Sequence, residues 1–197
     1  METRPWRWVI TVLLIGGGWS GHALQGTPSL RYPGGIWDAQ PRIVRYDLDG
    51  DGKFETIAVT QQFDGTLTME AMIRLLHEGH EVDQVAVPDH FTGLELVDLN
   101  YDRHRQIVVW SEGGAHCTNL RVMRYQGTQL ITLFEASSAA GIEMRKSAHG
   151  LQIWIGREHW QDPNWSYATG KPLMEVYGWD GTAFMYRRDL STAPQSS

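Results

Sequence analysis

Two stretches of this chain repeat one layout at a fixed interval, and that constrains the fold more than any other feature. Val44 and Tyr46 lead into Asp47, and Ile57, Ala58 and Val59 follow the loop. Leu96 and Val97 lead into Asp98, 51 residues after Asp47, and Ile107, Val108 and Val109 follow. A third stretch keeps only the outgoing run, Leu151-Gln152-Ile153-Trp154-Ile155, without an acidic loop. Strand-like runs also end at Glu78-Gly79, Gln126-Gly127 and Asp180-Gly181, and more strand-like sequence follows each. A polar residue before glycine is a strong hairpin signal, because glycine accepts the positive φ that tight turns need. Before the first turn, Leu67, Met69, Ala71, Ile73 and Leu75 alternate with Thr68, Glu70, Met72 and Arg74. Period 2 predicts a strand there, although Met, Ala and Leu favour helix.

The expected architecture is therefore all-β: a propeller-like repeat of about three small antiparallel sheets, each of roughly four strands. The units span about 36–90, 91–140 and 141–190, within one β-repeat domain from 24 to 190. Residues 191–197 read as a disordered polar tail. With 21 glycines and 11% aromatics, the composition suits such turn-rich sheets. Closed propellers usually have four to eight blades. An open stack, a three-bladed ring and a homo-oligomer completing a larger ring all fit the count.

Residues 1–23 read as a signal peptide. Arg4 and Arg7 precede the apolar run Trp8–Ile15, and Gly21-His22-Ala23 offers small residues for cleavage. The run is too short to cross the ~30 Å hydrocarbon core as a helix, so no stable membrane span is expected after cleavage. Retention as an uncleaved anchor is the alternative. An exported protein, periplasmic or extracellular, is the expectation. The full chain carries a net charge of −6. Loss of Glu2, Arg4 and Arg7 leaves 15 basic and 22 acidic residues, a net charge of −7. That sign disfavours nucleic acid as a partner and favours cations. Cys117 is the only cysteine, so no intramolecular disulfide can hold the domain. Metal ions are a natural substitute.

The loop Asp47-Leu48-Asp49-Gly50-Asp51-Gly52-Lys53-Phe54-Glu55 has the chemistry of a calcium site. Calcium is a hard cation that takes six to eight oxygens. Carboxylates at loop positions 1, 3 and 5 can converge on one ion when glycines let the chain curl. The Lys53 carbonyl at position 7 and Glu55 at position 9 would complete the ligand set. An EF-hand is excluded: it needs a glutamate at position 12, where Ala58 stands, and helices on both sides. The second loop keeps oxygen ligands at Asp98, Asn100 and Asp102, but has Arg103 in place of the glycine and Gln106 in place of the final acid. It is expected to bind more weakly or to be a metal-free turn.

With this loop, the chain resembles the FG-GAP and VCBS repeats of integrin α-subunit-like propellers and many bacterial exported proteins. Their loops run D-x-D-x-D-G-x-x-[DE] between two blade strands. Asp47, Asp49, Asp51, Gly52 and Glu55 match that pattern over about 17 residues, Val44 to Thr60. The resemblance implies a calcium-stabilised binding or interaction module without catalytic activity. The rival readings are a secreted hydrolase with its site among the loops, and a structural subunit of an envelope assembly.

Three segments, Gln61–Gly65, Ser111–Asn119 and Gly156–Lys171, should emerge on one edge of the assembly. The third carries His159, Trp160, Trp165 and Tyr167, whose rings suit a carbohydrate or a partner protein and equally suit packing within the loop. His77-Glu78-Gly79-His80 lacks the helical spacing of a zinc motif and reads as a solvated turn. Cys117 beside His116 reads as a small apolar side chain, because neighbours on a strand point to opposite faces.

Overall fold

The computed structural model describes residues 29–31, 42–63, 69–87, 89–99, 101, 104–114, 117–147, 150–158 and 171–192. No helix occurs among them, and hence none long and apolar enough to cross a membrane. The strands are β1 (Ser29–Arg31), β2 (Arg42–Tyr46), β3 (Glu55–Phe63), β4 (Met69–His77), β5 (His80–Val87), β6 (His90–Asp98) and β7 (Arg105–Gly113). They continue as β8 (Cys117–Gln126), β9 (Gln129–Ser138), β10 (Ile142–Ser147), β11 (Gly150–Arg157), β12 (Leu173–Trp179) and β13 (Phe184–Tyr186).

These strands form three antiparallel meanders in chain order: β2-β3-β4-β5, β6-β7-β8-β9 and β10-β11-β12-β13. The middle sheet gains β1 as a fifth strand beside β6, with Leu30 opposite Leu94. Each of the three polar-glycine dipeptides turns a hairpin. At the first, Glu78 and Gly79 both take positive φ (51° and 84°) and His77 pairs with His80 across the turn. The alternating run before it is strand β4, in which Ala71, Ile73 and Leu75 are fully buried. Burial of one face outweighs the helical preference of those residues.

The sheets stack face to face through two hydrophobic clusters. One joins the first sheet (Ile57, Val59, Ala71, Ile73, Leu75) to the middle sheet (Leu94, Leu96, Ile107, Val109, Met123). The other joins the opposite face of the middle sheet (Val97, Val108, Leu120, Val122) to Ile153, Ile155, Trp179 and Phe184 of the third. The middle sheet is thus buried on both faces, and β7 reads as the unbroken apolar run Ile107-Val108-Val109 for that reason. The outer face of the first sheet is more polar, with Arg45, Arg74 and Gln84 exposed and Thr56 half-buried. At the 51-residue offset, Arg45 stands where the middle sheet has Leu96, and Thr56 where it has Ile107. A terminal unit that meets water needs such a face.

The C-terminal segment expected to be a disordered tail from residue 191 is ordered at its start. Ser191 and Thr192 belong to the fold: Val176 N–H donates to Ser191 Oγ at 2.9 Å, and Met174 N–H to Thr192 Oγ1 at 2.8 Å. These bonds satisfy backbone donors on the edge of β12 that strand β13, only three residues long, does not reach.

Candidate metal centre

The first acidic loop leaves β2 at Tyr46 and enters β3 at Glu55, which pair directly across the base of the loop. Within it, each aspartate curls the chain by accepting backbone N–H groups ahead of it. Asp47 accepts from Gly50 at 2.7 Å and from Gly52 at 3.0 Å, one on each carboxylate oxygen. Asp49 accepts from Asp51 at 3.2 Å, and Asp51 from Lys53 at 2.7 Å. Leu48 points the other way and is buried in the core between the first two sheets. The loop is therefore pinned by an apolar anchor while three of its carboxylates, those of Asp47, Asp49 and Glu55, gather; Asp51 is exposed and stands outside that group.

Oxygen atoms of Asp47, Asp49 and Glu55 lie within 4.8 Å of one another. Glu55 is fully buried, and both of its oxygens are engaged: Oε2 accepts from Leu48 N–H at 2.7 Å and Oε1 meets His77 Nδ1 at 2.8 Å. The His77 hydrogen bond to Glu55 is the main reason that its imidazole holds a proton to higher pH than an ordinary histidine. Lys53 Nζ forms an ion pair with Glu78 Oε1 at 2.8 Å, which raises the lysine and lowers the glutamate. Tyr125 reaches the same region from β8. Burial first, then the charges of Glu55, Asp49 and Asp51, push its hydroxyl up. The loop thus sits in a field negative enough to be felt by lysine, histidine and tyrosine neighbours.

The second loop repeats the backbone plan. Gln106 takes the place of Glu55: it is buried, and its Oε1 accepts from Leu99 N–H at 3.1 Å, seven residues back as in the first loop. Leu99 is the buried counterpart of Leu48. Tyr101, at φ 60°, occupies the left-handed position that Gly50 holds at φ 79°. Of the expected ligands here, Asp98 and Gln106 are described, while Asn100 and Asp102 lie outside the described residues. The two loops touch, because a Cβ added to Gly50 would come within 2.7 Å of His104 Cε1. His77, His104 and Tyr125 are the neighbours that sequence reasoning missed. All three come from other strands or the other loop, and only the hairpin position of His77 could have hinted at its partner.

No known protein family, characterised protein or solved structure matches this chain.

His159, Trp160, Trp165 and Tyr167 lie outside the described residues, as does His116. At the edge where the Ser111–Asn119 segment emerges, Asn119 Nδ2 donates to Asp89 Oδ2 at 3.1 Å and to Ser111 Oγ at 3.4 Å. Cys117 Sγ lies 2.8 Å from Ser137 Oγ and 3.7 Å from Asn119 Oδ1, neither of them a base that would activate a thiol. His77 is half-buried and bonded to Glu55, and it pairs across the hairpin with His80, which is exposed along with Glu78 and Gly79.

Proposed function

We propose that this chain is an exported, calcium-stabilised β-repeat module of the FG-GAP/VCBS kind, propeller-like in arrangement. It works by binding a protein or carbohydrate partner rather than by catalysis. The observation that carries the metal reading is the gathering of Asp47, Asp49 and Glu55 oxygens within 4.8 Å in one curled loop. Three carboxylates that close repel one another, and a divalent cation reverses the sign of that interaction. Each engaged oxygen keeps a second lone pair for an ion. Asp51 and the Lys53 carbonyl would supply further ligands of the same hard type, and calcium tolerates the irregular geometry that results. The second loop, with Asp98, Asn100, Asp102 and Gln106, is the weaker site.

The ion's role in this reading is architectural. It holds the β2–β3 connection in place, and through His104 the neighbouring loop as well. Thermal unfolding of the protein with calcium, with magnesium and with chelator tests this. Calcium should raise the melting temperature above the chelated state and above magnesium, which demands a more regular octahedron. A melting temperature indifferent to chelator would refute the proposal.

A further inference from the structure

A pocket of about 360 Å³ lies between the first and middle sheets, at the end of the strands opposite the acidic loops. It is lined by Val87 at the end of β5, by Asp89 in the link to β6, and by Val109, Ser111, Asn119 and Ser137 of the middle sheet. The volume falls in the range of small-molecule sites, roughly 300–1,000 Å³.

Charge decides what could fill it. Arg121 and Glu135, also in the lining, neutralise each other: Arg121 Nη2 and Nε donate to Glu135 Oε1 at 2.6 and 3.2 Å. Arg121 Nη1 donates to the Ala86 carbonyl at 3.1 Å, so this cation is fully engaged. Asp89 is thereby left as a carboxylate with no cationic partner among the described residues, and it is exposed, so a ligand can reach it. Its carboxylate is held at the pocket wall. Asn119 Nδ2 donates to Asp89 Oδ2 at 3.1 Å and lies 3.4 Å from Ser111 Oγ, both residues of the lining. A Cβ added to Gly113 would stand 2.6 Å from the same Oδ2, so glycine there leaves room for the carboxylate. Asp89 Oδ1 receives no hydrogen bond among the described residues.

An anion is repelled by Asp89, and a neutral molecule leaves its charge unmatched. Calcium takes six to eight oxygens, and one carboxylate is a poor start on that set. An ammonium group on an alkyl stem suits both parts of the pocket. Its N–H donors meet Asp89 Oδ1 and the hydroxyl of exposed Ser137, while its methylenes lie along the apolar part of the lining, which includes Val87 and Val109.

We propose that the pocket between the first and middle sheets binds the ammonium group of an alkylamine, with Asp89 as its counter-ion. The same chemistry is carried by a free diamine and by a lysine side chain. None of these residues belongs to the acidic loops, so this site stands or falls separately from the calcium reading.

Isothermal titration and saturation-transfer NMR of the full chain test it, with pentylamine, 1,5-diaminopentane and Nα-acetyl-lysine N-methylamide as probes and 1-pentanol as the uncharged control. At least one amine should bind saturably and pentanol should not compete with it. Tighter binding of the diamine would mark a free amine as the ligand, and tighter binding of the lysine derivative a lysine side chain. Asparagine tolerates the left-handed backbone that Asp89 adopts at φ 69°, so Asp89→Asn should fold as wild type and weaken the amine about tenfold. Gly113→Ala keeps the charge but displaces the carboxylate, and should also lose affinity. If no amine binds at millimolar concentration, if pentanol binds as tightly as pentylamine, or if both variants bind as tightly as wild type, the pocket is not an ammonium site.

Discussion

Gly50 holds two demands at one position, a left-handed backbone at φ 79° and close contact with His104. Gly50→Ala should therefore cost about 1–3 kcal/mol in urea unfolding. His104→Ala in the same chain should restore only the steric part, because the backbone strain remains. The contrast with Tyr101, a non-glycine residue at the equivalent left-handed position, shows that contact with His104 sets the glycine requirement as much as φ does. Asp180 makes stability depend on pH in the acid range. It accepts from the N–H groups of Ala183 and Thr182 and from the Thr182 hydroxyl, and these bonds hold its carboxyl below the usual value of 3.8. A depressed folded value stabilises the protein above 3.8, and the contribution is lost as pH falls through the folded value. Asp180→Ala should thus melt below wild type at neutral pH, with the gap closing in strong acid.

At the scale of elements, the loop between paired strands is a unit that survives loss of its acids. Gln106 performs the backbone service of Glu55 without the charge, which is why the second loop keeps this bond where the acid is absent. Gln106→Ala should leave Leu99 N–H buried without an acceptor, destabilising the protein by about 1–3 kcal/mol whether or not calcium is present. The hairpins and strands were legible in the sequence because local chemistry decides them: a polar-glycine pair sets each turn, and alternation such as Ala71-Met72-Ile73 sets each face. The carboxylate spacing of the first loop was legible for the same reason. Its environment was not. Glu55 and His77 are 22 residues apart and meet only because β4 lies beside β3. The groove between Glu95 and Val97 of β6 and Met144 and Lys146 of β10 is still less local, since its walls belong to different sheets.

For the whole molecule, the important asymmetry is that the middle sheet shares a core with each neighbour. Truncations on its two faces should behave alike: Ile107→Ala on one and Ile153→Ala across the other interface should each cost about 2–5 kcal/mol. Both should lower one cooperative transition, because the sheets have no independent cores. Two separate melting steps would show that the interfaces are weaker than the burial implies. The repeat interval foretold three sheets, but β1 as a fifth strand of the middle one had no signal in the three residues Ser29–Arg31. Pairing of so short a strand is decided by the free edge of β6, not by its own sequence.

Whether the loop from Asp47 to Glu55 takes up a calcium ion can be read from calcium titration calorimetry on chelator-stripped protein. The wild type should show one dominant saturable site. Asp47→Asn with Asp49→Asn should abolish it, whereas Asp98→Asn should leave it intact. No binding heat in the wild type, or an unchanged isotherm in the double variant, would mean that this loop is not a calcium site.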